Sequence, residues 1–207
     1  MRLLFARHAP TDYNGKGRYQ GHEDVALGAS GRRQAALLAD RLAAEPIDEI
    51  HASDLCRARE TASAVSGRHR LALRSDPRLR ELHFGAWEGL TREEVLRGCP
   101  EALAAWEADT LRTSPPGGET LAELADRVGA FLADFANDAA PGRTVFVVGH
   151  KGSLQVLLCL ALGLPPESRW KFCLEPASLS ELNLFAGGAV LTSLNDVHHL
   201  REVAHDG

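Results

Sequence analysis

The chain has 207 residues, of which 44% are hydrophobic and 25% charged, and carries a net charge of −5. This is enough apolar material for a substantial core within one domain spanning residues 1–207, and the acidic balance argues against nucleic acid as a partner. The cysteines Cys56, Cys99, Cys159 and Cys173 form no C-x-x-C pair and read as reduced thiols of a cytoplasmic protein.

Leu3 to Ala6 is a short apolar run leading into Arg7 and His8, which predicts a first buried strand and leaves no room for a secretory signal core before it. A polar, glycine-containing loop follows from Ala9 to Gly28. Ser30 is placed to cap a helix carrying Ala35, Leu38 and Leu42 at helical spacing, ending before Pro46. Ile47 to Ala52 predicts a second strand. Ser53 then caps a helix through Arg57, Thr61 and Val65, and Leu71 to Leu73 predicts a third strand. Irregular chain with short helices at Thr91 to Arg97 and Glu101 to Ala108 fills Pro77 to Pro116. Thr120 to Phe135 reads as an amphipathic helix with Leu121, Leu124, Val128, Phe131 and Leu132 on one face. Val145 to Gly149 predicts a buried strand ending at His150. Leu154 to Leu164 predicts a buried helix, too short to span a bilayer, so no membrane partner is expected. Segments near Phe172, Leu182 and Val190 look strand-like. The alternation predicts an α/β fold, a three-layer wound, mostly parallel sheet with helices on both faces.

His8 and His150 each close an apolar run, and in such a sheet ligands bind at the carboxyl ends of strands. Each alone is open to a structural reading; together, with Arg7 adjoining His8, they favour an anion site. Arg57 falls in the first turn of its helix, where backbone N–H groups and the helix dipole already favour an anion, whereas Arg59 reads as a solvated charge. Glu81 lies among apolar residues, a setting suited to a general acid; a surface pair with Arg78 or Arg80 is the alternative. The tandem His198-His199 tempts a metal reading, but neighbours on a strand point to opposite faces, so no metal is expected.

Five motifs in order resemble the histidine phosphatase superfamily over nearly the full length. They are Arg7-His8-Ala9-Pro10-Thr11-Asp12-Tyr13-Asn14, the Ser53 to Ala62 segment, Arg80-Glu81-Leu82 with Gly85-x-x-Glu88-Gly89, Pro116-Gly117-Gly118-Glu119-Thr120, and Val148-Gly149-His150-Lys151-Gly152. Ala9 and Pro10 depart from the usual Gly-Glu, and Lys151 from a usual Gly or Ala. The resemblance implies a phosphoglycerate-mutase-like fold and a phosphomonoesterase needing no cofactor. It implies His8 as nucleophile, Arg7, Arg57 and His150 as holders of the phosphoryl group, and Glu81 as proton donor. Candidate substrate-binding positions are Asn14, Gln20, Gly21 and His83; Tyr19, Gln20, His83 and Trp87 either line the leaving-group side or pack the loop and core, and Lys151 either adds charge near the phosphate or points outward at the helix start. Gly17 to Leu27 and Leu82 to Gly89 are similar to segments of α-ribazole phosphatases, and less specifically to phosphoserine phosphatases. A phosphoglycerate mutase and a non-catalytic phospho-ligand module remain as alternatives. The expected partner is a small phosphorylated metabolite, and a homodimer stays open.

Overall fold

The computed structural model describes residues 1–136 and 142–205. These residues form a six-stranded sheet of order β3-β2-β4-β1-β5-β6. The strands are β1 (Arg2–Arg7), β2 (Glu49–Ala52), β3 (Leu73–Ser75), β4 (Thr144–Gly149), β5 (Leu179–Phe185) and β6 (Gly188–Asp196). β1 to β4 run parallel, while β5 and β6 form an antiparallel pair added beside β1.

The helices are α1 (Asp12–Gly15), α2 (Ala29–Leu42), α3 (Cys56–His69), α4 (Arg92–Gly98), α5 (Pro100–Ala108), α6 (Leu121–Ala136) and α7 (Lys151–Ala161). The two-residue period of the strands divides the core between two faces. Leu3, Phe5, Val145 and Val147 pack with Leu124, Val128 and Phe131 of α6 and with Leu154 and Leu157 of α7. Leu4, Ala6, Phe146 and Val148 turn the other way, onto Leu38 and Leu42 of α2 and Ala58, Ala62 and Val65 of α3. This is the expected three-layer α/β architecture, and both strands of the central pair β1 and β4 end at one rim.

Several local expectations are corrected. α2 begins before Ser30: extended Gly28 is its N-cap, and the Gly28 carbonyl accepts the first helical bond, from Arg32 N at 3.0 Å. Ser53 does not cap α3; its backbone N–H is held by Val148 O, and the cap is Leu55. The missing cap is supplied from 32 residues away, where Asp24 Oδ1 accepts from Cys56 N at 2.6 Å. β2 starts at Glu49 rather than Ile47, and β3 at Leu73 rather than Leu71, because Leu71 N is still bound to Ser66 O at the end of α3. α7 starts at Lys151, directly after His150. The loop after Ala9 contains the unpredicted α1. Phe172 is in no strand; it follows a 3₁₀ helix, Pro166–Lys171, and its carbonyl accepts from Gln155 Nε2. His198 and His199 open a 3₁₀ helix, His198–His205, rather than lying on a strand, so the opposite-face argument does not apply to them.

Candidate active site

Parallel pairing of β1 with β4 sets Arg7 opposite Gly149, and His8 N donates to Gly149 O at 2.9 Å. The next residue on each strand is therefore a histidine at the same rim. The His8 and His150 rings lie 5.0 Å apart, inclined at 56°, and both are buried. The paired histidines expected at two strand ends meet in one place.

His8 has its tautomer set by a neighbour. Its Nδ1 lies 2.7 Å from Ala9 O, which can only accept, so Nδ1 carries the proton and Nε2 keeps a lone pair. Burial, then Arg57 and Arg7, hold the His8 imidazole well below its ordinary value of 6.5. Burial and Arg57 do the same to His150, so both rings are neutral at pH 7. Neither ring nitrogen of His150 has a hydrogen-bond partner among the described residues.

Two guanidiniums adjoin these rings. Arg57, fully buried in the first turn of α3, donates through Nη2 to Gly21 O and through Nη1 to Glu23 O, both at 2.8 Å. Arg7 donates through Nη1 to Leu174 O at 2.8 Å. Each retains a buried Nε–H with no hydrogen-bond partner among the described residues. Burial disfavours both cations, and the Glu81 carboxylate partly offsets that cost. Buried N–H groups left over around neutral imidazoles are the kind of donors that an oxyanion would satisfy. Arg59 is exposed, as expected.

Glu81 makes no ion pair with Arg78 or Arg80. Arg78 pairs with Asp76 and Asp134, and Arg80 with Asp54. Instead the Glu81 carboxylate reaches the start of α7. Oε1 accepts from Gly152 N at 3.0 Å and Leu82 N at 2.8 Å, whereas Oε2 has only a 3.2 Å approach to Gly152 N. Glu88 is committed elsewhere: its Oε1 accepts from His22 N and Phe84 N, bracketing two loops.

Other expected positions act mostly on the walls. Asn14 Oδ1 accepts from Thr11 N, and Gln20 Oε1 accepts from Thr11 Oγ1 at 2.8 Å, so both shape the first loop. Gly21, at φ +50°, lends its carbonyl to Arg57, and a Cβ there would overlap Glu88. His83 is half-buried and stacks on His22, ring centroids 4.5 Å apart. Lys151 is exposed at the start of α7. Trp87 is a core residue, edge-on to Trp106, and Tyr19 packs on Phe84. Sequence reasoning missed Thr61 as a support: its Oγ1 accepts from Ala9 N and donates to Arg57 O, tying the segment after His8 to the first turn of α3. It also missed Asp24, His22 and Arg127, whose partners lie far away in the chain.

The model of the histidine phosphatase superfamily, branch 1, matches residues 3–197. A phosphoserine phosphatase 1 of Hydrogenobacter thermophilus is 33% identical over 202 residues, 98% of this chain and 95% of that protein. An adenosylcobalamin/alpha-ribazole phosphatase of Salmonella typhimurium is 32% identical over 197 residues, 94% and 96% of the two chains. Among solved structures, the alpha-ribazole phosphatase of Shigella flexneri superposes with a TM-score of 0.88 at 31% identity, covering 95% of this chain and 96% of the other. The sequence motifs, the paired histidines and these matches agree: the chain belongs to the histidine phosphatase superfamily.

Proposed function

We propose that this chain, acting as one domain over residues 1–207, is a metal-independent phosphomonoesterase that works through a phosphohistidine on His8. The observation that carries the reading is the lone pair of His8 Nε2, presented beside the unpartnered buried N–H groups of Arg7 and Arg57. Nε2 attacks phosphorus, forming an N–P bond as the ester P–O bond breaks. Arg7, Arg57 and His150 take the charge on the phosphoryl oxygens, the electrostatic contribution on which phosphoryl transfer depends. Glu81 gives its proton to the departing alcohol oxygen. It then takes one from the water that cleaves the N–P bond and releases inorganic phosphate.

For the substrate, α-ribazole 5′-phosphate, hence a step in cobalamin assembly, is supported by the Salmonella and Shigella relatives. Phosphoserine is the second reading, favoured by the Hydrogenobacter relative. His83, half-buried close to the acid, and exposed Lys151 are the positions we assign to leaving-group contact, with Asn14, Gln20 and Gly21 shaping that side. The free thiols support a cytoplasmic setting. Exposed Phe185 and Val190 on the β5–β6 edge support a homodimer, which sedimentation would reveal. A comparison of kcat/KM for α-ribazole 5′-phosphate, phosphoserine and phosphoglycerates decides the substrate. The expected result is phosphate release with α-ribazole 5′-phosphate preferred. Interconversion of 2- and 3-phosphoglycerate without release would mean a mutase, and no turnover of any ester would mean a binding module.

A further inference from the structure

The segment carrying Glu81 has no sheet or helix to hold it. A 3₁₀ turn ends at Leu79, another starts at Gly85, and the peptide groups between them need partners from elsewhere. Arg127 of α6 provides them. Its Nη1 donates to Arg78 O at 2.8 Å and Arg80 O at 2.7 Å, and its Nη2 donates to Glu81 O at 2.8 Å. The guanidinium is in turn held by Glu119, through Nε to Oε2 at 3.0 Å and Nη2 to Oε1. The same Glu119 carboxylate accepts from His83 N at 2.9 Å, and Glu119 N donates to His83 O. One planar fork and its carboxylate thus grip the chain on both sides of the acid. His22 Nε2 adds a donor to Glu81 O at 2.9 Å.

Buried Leu79 and Leu82 anchor the segment to the core, but apolar contacts do not set the direction of a peptide plane. The carbonyl contacts do, and with them the path of the Glu81 side chain to Gly152 N. The ion pair is itself mostly shielded from water, with the Arg127 and Glu119 side chains 19% and 15% exposed, so solvent screens it less than a surface pair. Lysine would retain the charge but not the fork that spans three carbonyls.

We propose that Arg127, oriented by Glu119, is the positioning residue for the general acid, an inference that rests on the role assigned to Glu81 above. Arg127 also lowers the proton affinity of His150 through space, an effect that acts alike on every substrate. Positioning of the acid does not, because a nitrophenolate departs unprotonated and an alkoxide does not.

The test is the single-turnover rate of phosphoenzyme formation with an alkyl phosphate and with 4-nitrophenyl phosphate, for Arg127→Met, Arg127→Lys, Glu119→Gln and Glu81→Gln. Arg127→Met should slow the alkyl ester roughly 10–100-fold and the nitrophenyl ester far less, as expected for a displaced catalytic group. Arg127→Lys should recover little of this. In the Glu81→Gln background, Arg127→Met should add no further alkyl-selective loss, only the loss common to both esters, since the two changes remove one selective effect. Equal losses for both esters, or full additivity with Glu81→Gln, would overturn the proposal. Should Arg127→Met fail to fold, the milder Glu119→Gln carries the same comparison. Selective loss from Glu81→Gln alone would refute the positioning role and leave the acid in place. No selectivity from Glu81→Gln would refute both.

Discussion

Gly152→Ala should disable the proposed acid without touching its chemistry. Gly152 sits in the first turn of α7, and a Cβ there would overlap Glu81 Oε1 and come within 3.3 Å of Glu81 Cδ. The obstructing atoms are the far end of a flexible side chain, so the carboxylate moves rather than the helix. Relieving the overlap requires a shift of about 1 Å to restore an ordinary contact distance. A misplacement of that size costs on the order of 10²-fold in rate, equivalent to roughly 2.7 kcal/mol of barrier. Folding stability should suffer little, since only the far end of one side chain has to move. The assay pairs a thermal melt with phosphoenzyme formation rates for an alkyl and a nitrophenyl ester. The expected outcome is a Tm near that of the parent protein, a large loss for the alkyl ester and a small one for the nitrophenyl ester. A Gly152→Ala protein with undiminished alkyl phosphatase activity would refute the placement of the acid.

Phosphatase turnover should survive exhaustive EDTA treatment, since arginine and histidine N–H groups hold the proposed oxyanion; rescue of a dead enzyme by a divalent cation would contradict this. Acid should destabilise the fold through His8 and His150. Both stay neutral when buried, whereas the unfolded chain takes up protons below pH 6.5. Their contribution is present above that pH and declines as the pH falls below it, and His150→Gln should flatten that decline in melts on the acid side of pH 6.5. Asp24→Ala removes the carboxylate that caps α3 and should cost about 0.5–2 kcal/mol in denaturant unfolding. It should also lower kcat/KM, because Arg57 follows directly after the capped residue.

The central strands and the meeting of His8 with His150 were legible because burial on two faces leaves an uninterrupted apolar run, and parallel pairing brings such runs to a common rim. Arg57 was legible from its place after a strand. The supports of the site were not. Asp24 caps α3 from 32 residues away, so the local Ser53 drew a cap that the structure puts elsewhere, and Ser30 drew one for a helix that starts after Gly28. Arg127 stands on the polar side of an amphipathic helix, where a sequence shows only a solvated charge. A signal did exist: the Pro116 to Thr120 motif ends beside the Glu119 that orients it, and a charged residue inside a motif invites a search for its partner. Trp87, which sequence left open between pocket and core, lies in the core because its loop folds back onto Trp106. The strand read at Phe172 failed because that residue closes a 3₁₀ helix, packs on the core and gives its carbonyl to Gln155 Nε2 rather than to a neighbouring strand.

The central claim is that His8 Nε2 carries the phosphoryl group. Acid-labile label should be sought after rapid quenching of the protein with ³²P-labelled substrate, followed by peptide mapping under alkaline conditions. The account predicts label on the peptide containing His8, absent from His8→Gln and retained through stabilisation of the intermediate in Glu81→Gln. Label on His150 would reverse the two histidines, and turnover with no labelled peptide would mean that water attacks the ester directly.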